Sequence, residues 1–177
     1  MAKLSIGDRA VDFNLPGSDG KNYSLDSFRD GKALAVIFSC VHCPYVLAWE
    51  DRMIELQNEF ADKGAKFVLI CANDAVNYPQ DSFDNMKIHA EEKNYPFPFV
   101  HDESQEVSRA YGAERTPEVF LFDSERKLVF HGAVDDNYED PGAVTETWLR
   151  DALEAVTSGN TPAKQSVPAR GCTIKWK

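Results

Sequence analysis

The chain has 177 residues, 43% hydrophobic and 27% charged, with a formal net charge of -10. A chain of this length and balance buries a core of its own without disulfide staples, and its negative charge repels phosphate backbones and anionic lipid surfaces, which argues against nucleic-acid and membrane partners. The opening MAKLSIGDRAVDFNL lacks the apolar run of a secretory signal, and no stretch approaches the roughly 20 apolar residues of a membrane helix, so the expected setting is the cytoplasm.

In chain order, DFNLPGSDGKNYSL (12–25) alternates apolar and polar positions around Gly-Ser-Asp-Gly, and predicts an N-terminal hairpin. The run Ala33–Phe38 is continuous and apolar, as in a strand covered on both faces, and it ends just before Cys40. From Pro44, apolar residues recur at three- and four-residue steps through Phe60 until Lys63-Gly64 closes a helix. A strand over Lys66–Cys71 and a helix over Ser82–Lys93 follow, giving a strand-helix-strand unit with parallel pairing. A short helix over Gln105–Tyr111, strands over Glu118–Phe122 and Lys127–His131, and a helix over Val144–Val156 complete the pattern. Residues 159–177 read as a tail lying over the surface of one domain spanning 1–177.

The chain has four cysteines, and in a reducing compartment a close CxxC pair marks redox chemistry or metal binding. Cys40-Val41-His42-Cys43 stands where a strand hands over to a helix. One turn brings its two sulfurs within disulfide reach, and the helix N-terminus favours a thiolate. An imidazole at His42 stabilises that thiolate further and shifts the couple toward the oxidising side. A zinc site needs two more ligands, and His89, His101 and His131 are scattered along the chain, so no metal is expected. Nothing resembles a nucleotide loop, so no cofactor is expected either. Pro117 opens a strand that it would otherwise weaken, which a cis Thr116-Pro117 bond would explain. Cys71 reads as packing, and the acids Asp135-Asp136 and Glu139-Asp140 read as a solvated connection.

These residues resemble the thioredoxin superfamily, and within it the peroxiredoxin-like proteins of the alkyl hydroperoxide reductase and thiol-specific antioxidant family. The hairpin, FSCVHCPYV, YGAERTPEVFLFD and the terminal GCTIKWK carry the resemblance over nearly the whole chain. It implies an α/β thioredoxin-like fold, a central mixed sheet flanked by helices with the hairpin as an N-terminal extension. It implies that Pro117 is a cis-proline facing the cysteines, that Thr116 offers backbone groups to an extended substrate, and that Cys40 is the attacking and Cys43 the resolving thiol. Cys43-Pro44 also matches the peroxidatic cysteine of peroxiredoxins, with Cys40 in place of their threonine. The proton-transfer aspartate of thioredoxins falls near Leu34, which leaves Glu118 as the candidate proton acceptor, and the peroxidase arginine has no counterpart.

The function expected is thiol-disulfide exchange on a protein or small-molecule disulfide, supported by a cellular thiol reductant. The alternatives are an antioxidant peroxide reduction at Cys43 and a metal-binding module. Cys172, in the tail, is a candidate third thiol.

Overall fold

The computed structural model describes residues 3–177. The expected hairpin is present as β1 (Asn14–Pro16) and β2 (Asn22–Ser24), paired antiparallel. Next come β3 (Ala33–Ser39), α1 (Pro44–Phe60), β4 (Ala65–Cys71), α2 (Phe83–Glu92) and β5 (Phe99–His101). The second half holds α3 (Glu106–Tyr111), β6 (Arg115–Thr116), β7 (Glu118–Phe122), β8 (Leu128–Gly132), α4 (Trp148–Thr157) and β9 (Cys172–Thr173).

Five strands form the central sheet in the order β5-β4-β3-β7-β8; β3, β4 and β5 are parallel neighbours, and β7 and β8 run antiparallel. With its flanking helices this is the thioredoxin-like architecture that the sequence predicts. All seven residues of β3 are buried, so successive side chains serve opposite faces. Ala33, Ala35 and Ile37 pack with Val46, Trp49 and Met53 of α1, Met86 of α2, and Leu149 and Leu153 of α4. Leu34, Val36 and Phe38 pack instead with Phe13 and Leu15 near the hairpin, Tyr111 of α3 and Ile174 of the tail. Each large apolar side chain so enclosed contributes about 1.5–3 kcal/mol relative to exposure.

Two expectations are corrected. The last helix starts at Trp148, not Val144, because Asp136 accepts the Thr145 N–H (2.9 Å) and hydroxyl and donates its own N–H to Glu146 (3.2 Å), which holds the preceding segment out of helix. The tail does more than lie on the surface: Val167 and Ile174 are buried, and β9 pairs with β6.

Asp135 also departs from the solvated connection expected of it. It is 6% exposed and accepts from the Trp49 indole (2.9 Å) and the Arg52 guanidinium (2.7 Å), tying the middle of α1 to the loop after β8. Among the described residues, no helix is long and apolar enough to cross a membrane.

Candidate active site

The register Ser39↔Cys71 sets the C-terminal ends of β3 and β4 side by side, and the CxxC motif and the loop after β4 both leave from that edge. This is where open parallel sheets place their sites. Cys40 follows β3 directly, whereas Cys43 is the extended residue immediately before α1, its carbonyl accepting the Leu47 N–H (2.9 Å). Both are almost sealed from solvent, 1% and 3% exposed.

Facing them is Thr116, joined to Pro117 by a cis peptide bond. Its hydroxyl is 3.7 Å from Cys40 Sγ, and its carbonyl accepts from the Cys43 thiol (3.4 Å). One residue thus contacts both sulfurs, and the structure brings together Cys40, Cys43, Thr116 and Pro117 as the sequence predicts.

The two thiols differ in character. Cys43 receives a hydrogen bond from the Cys40 thiol, which is the largest influence on it; burial opposes, and the Cys172 thiol and the amides of Val46 and Cys172 add to the first effect. The net result lowers Cys43 below the ordinary thiol range. Amides in the first turn of a helix carry part of the positive end of its dipole, which is a physical reason for a thiolate here. Cys40 is pushed up well above the ordinary thiol range by the same hydrogen bond, by burial and by the negative charge of Asp81. Cys71, fully enclosed in β4, is pushed up to about 12 by burial, in keeping with packing.

Asp81, which sequence reasoning missed, supplies the buried acid. It is wholly enclosed, accepts the Val41 N–H (2.8 Å) and an Asn73 amide hydrogen (3.0 Å), and lies 2.9 Å from His42 Nδ1. That last approach lacks hydrogen-bond alignment and is a charge pair only when the imidazole is protonated. The signal that could have found it is topological: in a parallel pair, the loop after the second strand borders the motif after the first. Leu34, where the resemblance seeks an acid, is core on the opposite face.

Glu118 is placed elsewhere. Its carboxylate is buried and accepts from the amides of Glu114 (2.8 Å) and Arg115 (2.9 Å), Lys3 Nζ (2.6 Å) and His131 Nε2 (2.6 Å). Burial pushes it up, but these bonds outweigh that and hold it at about 2. A carboxylate committed to four donors shapes the loop entering Thr116-Pro117 and is a poor proton acceptor.

Cys172 joins the site. β9 sets it opposite Thr116, and it packs against the buried cluster that contains Cys40 and Cys43. Among metal ligands, Cys40, His42 and Asp81 present donor atoms all within 4.8 Å of one another. Each Asp81 oxygen also accepts one hydrogen bond from outside the trio, from the Val41 N–H and the Asn73 amide. No arginine is among the hydrogen-bond partners of Cys43 in the described residues; Arg115 turns to the Gly171 carbonyl (3.4 Å).

Comparisons with known proteins agree with this geometry. Crystal structures of a conserved protein from Geobacillus kaustophilus (40% identity, TM-score 0.92, 98% of this chain and 93% of that one) and a hypothetical protein from Sinorhizobium meliloti (37%, 0.93, 99% and 97%) share the fold nearly end to end. The thiol-disulfide oxidoreductase ResA of Bacillus cereus is 24% identical over 155 residues, 88% of this chain and 80% of that protein. The Redoxin family model matches residues 5–147, which include the dithiol, Asp81, Thr116 and Pro117, and the chain belongs to the Redoxin family.

Proposed function

We propose that this protein is a thiol-disulfide oxidoreductase that exchanges electrons between its Cys40/Cys43 dithiol and a disulfide in a protein or small molecule, with a cellular thiol as reductant. The observation that carries the reading is the buried dithiol held against Thr116, with Cys40 directly after β3 and Cys43 directly before α1. Cys43 attacks a substrate sulfur and expels the first thiolate. Cys40 then attacks Cys43 Sγ, releasing the second thiolate and leaving the Cys40–Cys43 disulfide. This order is the reverse of the one that the resemblance to thioredoxins implies. It follows from which cysteine adjoins α1.

Cys43-Pro44 at the helix start also suits peroxide reduction, and that second reading is kept as the alternative. What weighs against it is that, among the described residues, no guanidinium is a hydrogen-bond partner of Cys43 to stabilise a departing hydroxide. The cytoplasmic setting expected from the sequence remains part of the proposal, supported by composition alone.

Titrating reduced protein with oxidised glutathione tests the reading. One equivalent converts the dithiol to its disulfide with release of both glutathione thiols. Failure to react with oxidised glutathione, together with rapid sulfenic acid formation under hydrogen peroxide, would move the assignment to the peroxidase.

A further inference from the structure

The dithiol is nearly inaccessible because the chain's own C-terminal segment lies across it. Residues 165–167 bond to the backbone of His131 on β8 (2.9 and 3.0 Å), and Arg170 stacks on the Tyr138 ring. The tail then crosses to β6, where Arg115↔Thr173 and Thr116↔Cys172 pair antiparallel. Beyond the crossing, Ile174 donates to the Glu114 carbonyl (3.0 Å) and is buried, while Lys175 bonds Asn73 (3.0 Å) and Asp74 (2.8 Å). Gly171 sits so close to the loop that an added Cβ would lie 2.0 Å from the Thr116 carbonyl oxygen. The backbone edge beside the cis-proline, which an extended substrate would use, is therefore already filled by an extended peptide with a cysteine in it.

We propose that Cys172 is a second, intramolecular resolving thiol for Cys43, and that the tail is a tethered peptide which takes the substrate's place once Cys43 has reacted. The idea rests on the thiol-disulfide reading. In the step, Cys43 already carries a mixed disulfide with one half of the substrate. The Cys172 sulfur attacks Cys43 Sγ, the Cys43–Cys172 bond forms and the Cys43–substrate bond breaks. The departing substrate sulfur takes the bonding electron pair and the proton that Cys172 gives up, so no further oxidant or reductant enters. Three features support it. Cys172 packs against the buried cluster that contains both Cys40 and Cys43. The pairing across β6 fixes Cys172 opposite the residue whose carbonyl touches Cys43. The anchors on either side, at 165–167 and 174–175, let the middle of the tail lift for substrate and reseat without leaving the molecule.

Peptide mapping under non-reducing conditions, after treatment with one equivalent of oxidised glutathione, tests this. In Cys40→Ser, the expected product is a Cys43–Cys172 cross-linked peptide free of glutathione. In Cys40→Ser combined with Cys172→Ser, glutathione stays on Cys43. In Cys40→Ser combined with Gly171→Ala, where the tail cannot seat, the cross-link is lost and glutathione again stays on Cys43. A Cys40→Ser protein that retains glutathione on Cys43 with Cys172 free would overturn the proposal while leaving the exchange reading intact. Absence of glutathione from Cys43 in the Cys40→Ser, Cys172→Ser protein would overturn the exchange reading itself.

Discussion

Glu118→Gln separates a structural carboxylate from a catalytic one. Its folded value of about 2 lies well below the ordinary 4.5, and a difference of this size corresponds to about 3 kcal/mol of stability at neutral pH. Because the folded value is the depressed one, that contribution is fully present above 4.5 and is lost as pH falls through 2. Gln keeps the shape but cannot draw Lys3 and His131 as a charge does, so the variant should be less stable by about 3 kcal/mol at pH 7. Near pH 3 the difference should shrink to under half of that, since the wild-type carboxylate is then losing its advantage. Urea denaturation of both proteins at the two pH values reads this directly. A gap that stays constant with pH would refute the ionic account. A Glu118→Gln protein of full stability whose exchange rate has collapsed would instead restore Glu118 as proton acceptor.

Other outcomes follow from the same structure. Thiolate absorbance near 240 nm in the reduced protein should rise at a pH below the ordinary thiol range, and that step should be lost in Cys43→Ser. Asp81→Asn removes the charge that disfavours the Cys40 thiolate and the contact that holds His42, so the second ionisation of the dithiol should move to lower pH; an unchanged titration would separate Asp81 from the site. Asp135→Ala leaves the Arg52 guanidinium without its carboxylate and the Trp49 indole without its acceptor. It should cost about 3–5 kcal/mol in urea denaturation with the thiolate titration unmoved.

The elements that the sequence made legible are those whose signal is local. Ala33–Phe38 could only be a covered strand, the 44–60 spacing could only be a helix, and Thr116-Pro117 stood out because a proline opens a strand. These pointed to Cys40, Cys43, Thr116 and Pro117, which the structure brings together. What stayed hidden depends on contacts far apart in sequence. Asp81 is 38 residues beyond Cys43 and matters because β3 and β4 are parallel neighbours. Cys172 matters because a two-residue strand, too short to show periodicity, pairs with β6. Asp135 looked solvated, and Glu118 looked available as a proton acceptor, because the distant Arg52, Lys3 and His131 that engage them are not visible from local sequence.

The central claim is that Cys43, at the start of α1, is the attacking thiol. Capture of a disulfide substrate in a Cys172→Ser background, with either Cys40 or Cys43 also replaced by serine, tests it most directly. The account predicts a stable mixed disulfide on Cys43 when Cys40 is replaced, and little capture by Cys40 when Cys43 is replaced. Efficient capture on Cys40, with Cys43 inert, would contradict it.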